Sequence, residues 1–109
     1  MLIRMIIEAA NRGLFVSGEA AGAEEALEVV DTIDPEVILM DEMMPGMSGL
    51  EAAELILRRR PGQRIILCSA YLDADLRDRA EAAGITVCLT KSQLNEIPAV
   101  IRQTVGQAS

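Results

Sequence analysis

Three short, almost entirely apolar runs constrain the fold of this chain more than any other feature of its sequence. They lie at residues 37–40, 65–68 and 86–89. Strands that are buried on both faces have this composition, and such strands belong to parallel sheets. Each run is followed at once by a polar residue, and segments with helical spacing separate the runs. The sequence therefore predicts an α/β domain.

The segments around these runs have the apolar spacing and the end signals of amphipathic helices. The first has apolar residues at i, i+3, i+4 and i+7, namely Ala23, Ala26, Leu27 and Val30. Ser48 followed by Glu51 has the pattern of a capping box at the start of the next helix. Asp73 is the predicted N-cap of a third helix, which ends at Gly84. A last helix is predicted from about Asn95.

The N-terminal segment is also predicted to be helical. Its apolar residues at helical spacing are Leu2, Ile3, Ile6 and Ala10. A short apolar strand at 14–16 follows Gly13, so the predicted order is α-β-α-β-α-β-α-β-α, with four strands and five helices. This alternation implies a doubly wound parallel sheet with helices on both faces. The length of 109 residues fits one domain.

Composition excludes several classes of function. The chain has no histidine, which excludes Ser-His-Asp and Cys-His catalysis and histidine-ligated metal within it. Its net charge of −7 disfavours direct binding to nucleic acid. Its apolar runs are far shorter than the ~20 residues of a membrane span, so a cytoplasmic location is expected. Cys68 and Cys88 lie in strand-like runs and are expected to be reduced core residues.

Three predicted strands each lead directly into a residue that can take part in phosphoryl chemistry. These residues are Asp41, Ser69 and Lys91. Ligands of open parallel sheets bind where the strands end, so we expect the three residues to share one crevice. Asp41 can act as a nucleophile and form an acyl phosphate. Ser69 and Lys91 can then contact the phosphoryl oxygens by a hydrogen bond and by charge.

Several motifs match a known family. The pattern Asp-x-x-Met-Pro-Gly-x-x-Gly runs from Asp41 to Gly49, directly after the block at 35–40. The blocks Ile-Leu-Cys-Ser-Ala at 66–70 and Leu-Thr-Lys at 89–91 match two later motifs. On these motifs the chain resembles the receiver domains of two-component response regulators, in particular those fused to LuxR-type DNA-binding domains.

The resemblance implies a flavodoxin-like fold and a signalling role rather than enzymatic turnover, beyond self-phosphorylation from a donor and autodephosphorylation. It implies that a histidine kinase phosphorylates Asp41, that Ser69 moves toward the phosphoryl group and that Lys91 pairs with it. It also implies a bound Mg²⁺, with Asp41 and the backbone carbonyl of Met43 among its ligands. The surface of the last two helices and the last strand would respond, in relatives often by forming a homodimer.

One departure from the family concerns the metal. Receivers begin with a strand that ends in an acidic pair, and that pair holds the Mg²⁺. This chain is predicted to begin within the helix that follows, as an N-terminally truncated receiver covering 1–109 without an output domain. Glu19 and Glu42 are the nearest other carboxylates, and both match other family positions. Weak or absent Mg²⁺ binding is therefore expected.

Two further consequences concern folding and switching. The missing strand would be central, between the predicted strands at 14–16 and 37–40, so either these two pair directly or a partner chain fills the gap. The family's aromatic switch position, three residues before the strand-end lysine, is occupied by Cys88. A cysteine cannot swing a large ring inward, so the usual output mechanism is not expected to operate in its usual form.

Three functions are compatible with these patterns. The first is a phosphorylatable receiver, and the second is a degenerate receiver that serves only as an interaction or dimerisation module. Labelling by a phosphodonor and Mg²⁺ binding distinguish these two. The third, a small α/β enzyme or nucleotide-binding domain, is disfavoured because the chain has no G-x-G-x-x-G loop and no P-loop motif.

Overall fold

The computed structural model describes residues 3–9, 13–20, 23–43, 46–85, 87–96 and 99–100, with side chains from residue 24 onward except at 91, 94 and 95. The strands are β1 (Ile3–Ala9), β2 (Gly13–Ala20), β3 (Val37–Asp41), β4 (Arg64–Ser69) and β5 (Val87–Thr90). The helices are α1 (Ala23–Ile33), α2 (Gly49–Arg59) and α3 (Ala74–Ala83), followed by a 3-10 helix at Lys91–Glu96.

The described strands form one sheet in the order β2-β1-β3-β4-β5. β3, β4 and β5 are parallel to one another, which confirms the parallel arrangement predicted for the three apolar runs. β1 is antiparallel to both of its neighbours, so the N-terminal part of the sheet is a hairpin joined to the parallel part. Because β1 reverses direction, β2 runs the same way as β3.

The predicted N-terminal helix is wrong, because Ile3–Ala9 forms a strand. This strand occupies the central position that was predicted to be empty, between β2 and β3. Its register pairs Arg4 with Leu39 and Ile6 with Val37. Pairing on both sides satisfies backbone groups that a gap would leave without partners in the middle of the sheet. The described part therefore has five strands rather than the four predicted, and three α-helices.

Each face of the parallel strands packs in its own apolar cluster, as a sheet covered on both sides requires. One cluster joins alternate strand residues to the three helices; its strand members are Ile38, Met40, Ile65 and Leu67. The opposite face carries Val37, Ile66, Cys68 and Leu89, with Val100 packed against them. Val100 belongs to a helical segment at 99–100. The predicted start near Asn95 falls instead in the 3-10 helix, which ends at Glu96, and the other residues of the predicted last helix lie outside the described part.

Helix ends follow the sequence signals. The Ser48 side chain accepts a hydrogen bond from the Glu51 backbone N–H at 3.1 Å, and Glu51 Oε1 accepts from the Ser48 N–H at 3.3 Å. This confirms the capping box. Asp73 Oδ1 accepts from the Leu76 N–H at 2.8 Å, which confirms the predicted N-cap of α3. Gly84 ends α3 in the left-handed conformation, at φ 94°.

Two ion pairs join the helix α2 end to the α1 end: Arg59 binds Asp31, and Arg60 binds Asp34. Neither Cys68 nor Cys88 forms a disulfide. They lie on adjacent strands, but the register pairs Cys68 with Leu89 and Cys88 with Leu67, so strand alternation places their side chains on opposite faces.

No described helix has the length and apolar character needed to span a membrane.

Candidate phosphoryl-acceptor site

The parallel pairing brings the three predicted site residues to one edge of the sheet, here called the carboxyl edge. Asp41 is the last residue of β3 and Ser69 the last of β4. Lys91 follows the last residue of β5 and begins the 3-10 helix. Asp41 pairs with Cys68, which pairs with Leu89, so along adjacent strands Ser69 lies one residue and Lys91 two residues beyond the level of Asp41. Adjacent strands are about 4.8 Å apart.

The Asp41 carboxylate is oriented by the chain that follows it. Its Oδ1 accepts a hydrogen bond from the Met43 backbone N–H at 3.1 Å, a local Asx-type turn. The Asp41 side chain is half-buried, so it remains accessible to solvent. Met43 itself is 64% exposed at the mouth of the site. The turn fixes the carboxylate relative to the Met43 backbone, the segment that was predicted to take part in metal binding.

The loop between β3 and α2, residues 42–48, is closed at its base and is called the acceptor loop below. The Glu42 N–H donates to the Cys68 carbonyl at 2.8 Å, and the Gly49 N–H donates to the Glu42 carbonyl at 2.8 Å. Glu42 Oε1 accepts from the Leu50 N–H at 2.8 Å. The start of α2 is thus attached directly to the residue after Asp41.

Ser69 is 5% exposed, and its hydroxyl is engaged locally. Ser69 Oγ donates to the Tyr71 carbonyl at 2.7 Å and accepts from the Tyr71 N–H at 3.3 Å. Strand alternation places Ser69 and Asp41 on opposite faces, because Asp41 pairs with Cys68 rather than with Ser69. The structure therefore brings the two backbones together at the carboxyl edge but holds the Ser69 hydroxyl on Tyr71.

The end of β5 is closed by a small polar network. Gln93 Oε1 accepts from the Thr90 N–H at 3.0 Å and from the Thr90 hydroxyl at 3.1 Å. The Thr90 and Ser92 hydroxyls are 2.7 Å apart. These bonds fix the backbone at which Lys91 starts the 3-10 helix. The side chain of Lys91 lies outside the described part, so its predicted contact stays a prediction.

Cys88, at the predicted switch position, is partly buried on β5 beside a cleft. The cleft has a volume of about 420 Å³ and is lined by Arg77, Glu81, Ile85, Val87 and Cys88. Burial raises the pKa of the Cys88 thiol above its ordinary value of 9.0; the positive charge of Arg77 opposes the rise, and the negative charge of Glu42 adds to it. The thiol therefore remains protonated at neutral pH.

The described residues do not fit the Mg²⁺ site of the resemblance. Among them, no three Asp, Glu, His or Cys side chains are placed so that they could hold a metal ion. Glu19 and Leu39 both pair with Arg4, so the Glu19 backbone lies two strands from β3 and two residues below the level of Asp41. Two strand spacings alone are about 10 Å. Glu42 is nearer, but its Oε1 accepts the Leu50 N–H.

Sequence reasoning missed two residues at this edge. Glu42 was considered only as a possible metal ligand, and its bond to the start of α2 depends on a loop closure that no local pattern signals. Tyr71, which is 75% exposed, holds the Ser69 hydroxyl through its backbone, so its side-chain type gives no clue. The motif Asp-x-x-Met-Pro-Gly-x-x-Gly did contain a usable signal, because its last glycine lies against Asp41.

Comparisons with known proteins agree on one family. Residues 1–102 match the response regulator receiver domain family. Response regulator GacA of Pseudomonas aeruginosa is 35% identical over 92 residues, which are 84% of this chain and 43% of GacA. The transcriptional regulatory protein LiaR of Bacillus subtilis is 33% identical over 105 residues, which are 93% of this chain and 50% of LiaR. The chain thus spans about half the length of these curated relatives.

Solved structures support the same conclusion for the fold. A two-component response regulator of the LuxR family from an Aurantimonas species superposes with a TM-score of 0.77 at 27% identity. The match covers 81% of this chain and 64% of that one. The predicted flavodoxin-like α/β class is therefore confirmed, with the hairpin β1–β2 as this chain's difference from the predicted element order.

Proposed function

Because this chain belongs to the response regulator receiver domain family, we propose that it accepts a phosphoryl group on Asp41 from a histidine kinase and thereby switches a protein-interaction surface. Receiver domains are signalling modules of two-component systems, and histidine kinases are their partners. The assignment of Asp41 as the residue that accepts the phosphoryl group depends on the site residues of this chain. The observation that carries it is the parallel register, which ends β3, β4 and β5 at one edge, with β4 between the strands that lead to Asp41 and Lys91.

The chemistry at Asp41 is a displacement at phosphorus. A carboxylate oxygen of Asp41 attacks the phosphorus atom of the phosphohistidine, the P–N bond breaks, and the imidazole nitrogen keeps the electron pair and takes up a proton. The product is an acyl phosphate on the β3 end. The Asx-type turn from Met43 to Asp41 supports this step, because it leaves the carboxylate in a fixed orientation before attack.

Ser69 and Lys91 are the proposed contacts of the attached phosphoryl group. Lys91 starts directly after β5 and supplies a positive charge at this edge. Strand alternation places Ser69 on the face opposite Asp41, so to bind a phosphoryl oxygen its hydroxyl must leave the Tyr71 carbonyl and turn toward Asp41 as the end of β4 changes conformation. That exchange couples the phosphoryl group to the β4–α3 connection, which begins with Tyr71.

The proposed output is a change in the surface formed by α3, β5 and the last helix. The phosphoryl group adds about −1.5 to −2 charges to the acceptor carboxylate. Differential contacts with this group shift the equilibrium between two conformations of the domain. Homodimerisation through this surface is the proposed readout, and the net charge of −7 favours a protein partner over direct contact with nucleic acid. Cys88 takes the switch position without the volume of an aromatic ring.

Receiver domains generally use Mg²⁺, and we propose that this chain binds it weakly. Mg²⁺ is held by one or two carboxylates together with phosphate oxygens and waters. Asp41 and the Met43 carbonyl are the proposed ligands in this chain. The described carboxylates offer no larger cluster around them.

The experiment is to incubate the protein with acetyl phosphate, with and without Mg²⁺, and to weigh it intact. We expect a gain of one phosphoryl group that is absent in Asp41→Asn and retained in Asp78→Asn, an exposed aspartate of α3. Labelling of Asp41→Asn to the level of the wild type would contradict the assignment. Mapping the modified peptide identifies the residue independently.

A degenerate receiver that acts only as an interaction module is the second candidate, and the small carboxylate set at the edge favours it. Calorimetric titration with Mg²⁺ and the labelling experiment separate the candidates. No labelling at any Mg²⁺ concentration, together with a stable fold, supports the interaction module. Labelling at Asp41 supports the phosphorylated receiver.

A further inference from the structure

We infer that Glu42 is a positioning residue for phosphoryl transfer to Asp41: its carboxylate holds the acceptor loop closed on α2 and so fixes the Asp41 backbone. This inference rests on the proposed function, because the reaction it serves is the labelling of Asp41. The motif of the family leaves this position unspecified, and the role comes from contacts of this chain.

Glu42 is attached to its surroundings through three groups. Its N–H binds the Cys68 carbonyl at 2.8 Å, and its own carbonyl accepts the Gly49 N–H at 2.8 Å. Its side-chain Oε1 accepts the Leu50 N–H at 2.8 Å. One residue therefore ties β3, β4 and α2 together directly beside the acceptor.

The side-chain bond is a favourable one for a carboxylate. The Leu50 N–H belongs to the first turn of α2, where backbone donors have no partner within the helix. The positive end of the helix dipole also favours a negative group there. Leu50 is 1% exposed, so water cannot readily replace the carboxylate if it is removed.

The consequence for Asp41 follows from the closeness of Gly49. A β-carbon on Gly49 would lie 2.4 Å from the Asp41 carbonyl oxygen, so α2 begins in direct contact with the Asp41 backbone. If the Glu42 carboxylate no longer holds Leu50, the first turn of α2 can move away from Asp41. The Met43 N–H, which orients the Asp41 carboxylate, lies on the same loop. A shift of about 1 Å in a reacting group can slow a reaction by up to ~10²-fold.

An electrostatic role predicts the opposite result and can be separated from positioning. The negative charge of Glu42, next to Asp41, would repel an anionic phosphodonor, so removing that charge would raise the labelling rate. Glu42→Gln removes the charge but keeps a side-chain oxygen that can accept the Leu50 N–H. Glu42→Ala removes both.

The control is Ser48→Ala, which removes the other side-chain cap of the same helix. Ser48 Oγ accepts the Glu51 N–H at 3.1 Å, and it has no bond to Glu42. Both alanine variants therefore weaken the start of α2, whereas one of them leaves the link between Glu42 and Leu50 intact. If Glu42 only stabilised the start of α2, Glu42→Ala and Ser48→Ala would change the labelling rate equally.

The test measures the labelling rate with acetyl phosphate by intact mass, and amide hydrogen exchange at Leu50 and Met43 by NMR. We expect Glu42→Ala to slow labelling by about 10-fold or more, within the range that misplacement produces, and to speed exchange at both amides. We expect Glu42→Gln to restore most of the rate. Ser48→Ala is expected to label at nearly the wild-type rate.

Three outcomes would overturn the inference: wild-type labelling by Glu42→Ala, equal slowing by Ser48→Ala, or faster labelling by both Glu42 variants. If Glu42→Ala does not fold, Glu42→Asp replaces it, because its side chain is one methylene group shorter and is expected to weaken the bond to the Leu50 N–H. If the wild type takes no phosphoryl group, the proposed function fails. The closure of the acceptor loop by Glu42 is then judged separately, by exchange at Met43, which must rise in Glu42→Ala and not in Ser48→Ala.

Discussion

The α-carbon of Gly49 packs against the backbone of Asp41 so closely that a β-carbon there would lie 2.4 Å from the Asp41 carbonyl oxygen. It would also lie 2.8 Å from the Glu42 α-carbon. Both neighbours are backbone atoms, which cannot rotate away as a flexible side chain can. The absence of a side chain at residue 49 is thus what allows α2 to begin directly at the acceptor.

We predict that Gly49→Ala lowers the free energy of unfolding by about 1–3 kcal/mol, the usual cost of forcing extra volume into a packed site. The better helix propensity of alanine offsets part of this cost. Denaturant unfolding measures the change. Gly62→Ala is the matched control, because nothing lies within 4 Å of a β-carbon at Gly62. Equal effects of the two substitutions would contradict the prediction.

Gln63 is predicted to stabilise the opposite edge of the sheet. It is 7% exposed, and its Nε2 lies within 3.2–3.3 Å of three backbone carbonyls, those of Pro35, Glu36 and Arg64. Gln63→Met keeps a similar volume and removes these bonds, so we expect a loss of about 1–3 kcal/mol in the free energy of unfolding.

Arg60→Met is the comparison for this prediction. It removes the bond from Arg60 Nε to Gln63 Oε1, at 3.0 Å, and leaves Gln63 Nε2 in place. Arg60 is partly exposed, so water can replace its partners and the loss should be smaller. A Gln63→Met variant as stable as the wild type would show that the buried carbonyls do not need this donor.

Cys88 is predicted to make stability fall in alkaline solution. Burial raises the pKa of its thiol in the folded state, so as pH rises the unfolded chain loses this proton first. The contribution is therefore complete below the ordinary pKa of 9.0 and is lost as pH rises through the higher folded value. The measurement is the free energy of unfolding as a function of pH, from neutral pH to above the folded-state pKa of the thiol. It should fall less steeply with rising pH in Cys88→Ala than in the wild type.

Arg77→Ala provides a second check on the Cys88 prediction. The positive charge of Arg77 opposes the rise in the thiol pKa, so its removal should steepen the alkaline loss of stability. Parallel pH profiles for the wild type and Cys88→Ala would show that the thiol contributes nothing to the slope.

Helix α3 is predicted to depend strongly on its N-cap. The buried residue of this helix is Ala80, so packing holds α3 less firmly than α2, which buries five residues. Asp73→Ala removes the 2.8 Å bond to the Leu76 N–H and should cost about 0.5–2 kcal/mol. Amide exchange along α3 should speed up as well. Asp78→Ala removes an equal charge from the exposed part of α3, and we expect it to be neutral or slightly stabilising.

The elements that sequence predicted correctly carry strong local signals. The runs at 37–40 and 65–68 lack polar residues and form most of β3 and β4, as is typical of strands buried on both faces. The caps at Ser48, Asp73 and Gly84 were predicted because each depends on the geometry of one turn.

The N-terminal segment shows where local reasoning fails. The spacing of its apolar residues is compatible with a helix, but Ile3–Ala9 is a strand. Strand preference depends on neighbours across the sheet more than on intrinsic propensity. For this segment the neighbours are β2 and β3. The spacing of apolar residues within the segment does not reveal that these strands pair with it.

The sequence by itself determined the strand-end positions of Asp41, Ser69 and Lys91. Asp41 and Ser69 directly follow apolar runs typical of buried strands, and Lys91 follows such a run after Thr90. Tertiary structure alone decided that the Ser69 hydroxyl binds Tyr71, that Glu42 holds Leu50 and that Gly49 touches Asp41. The physical reason is the distance along the sequence over which each interaction acts. Burial and capping are fixed by residues within one turn or strand, whereas these contacts depend on how a loop closes and on which strands lie side by side.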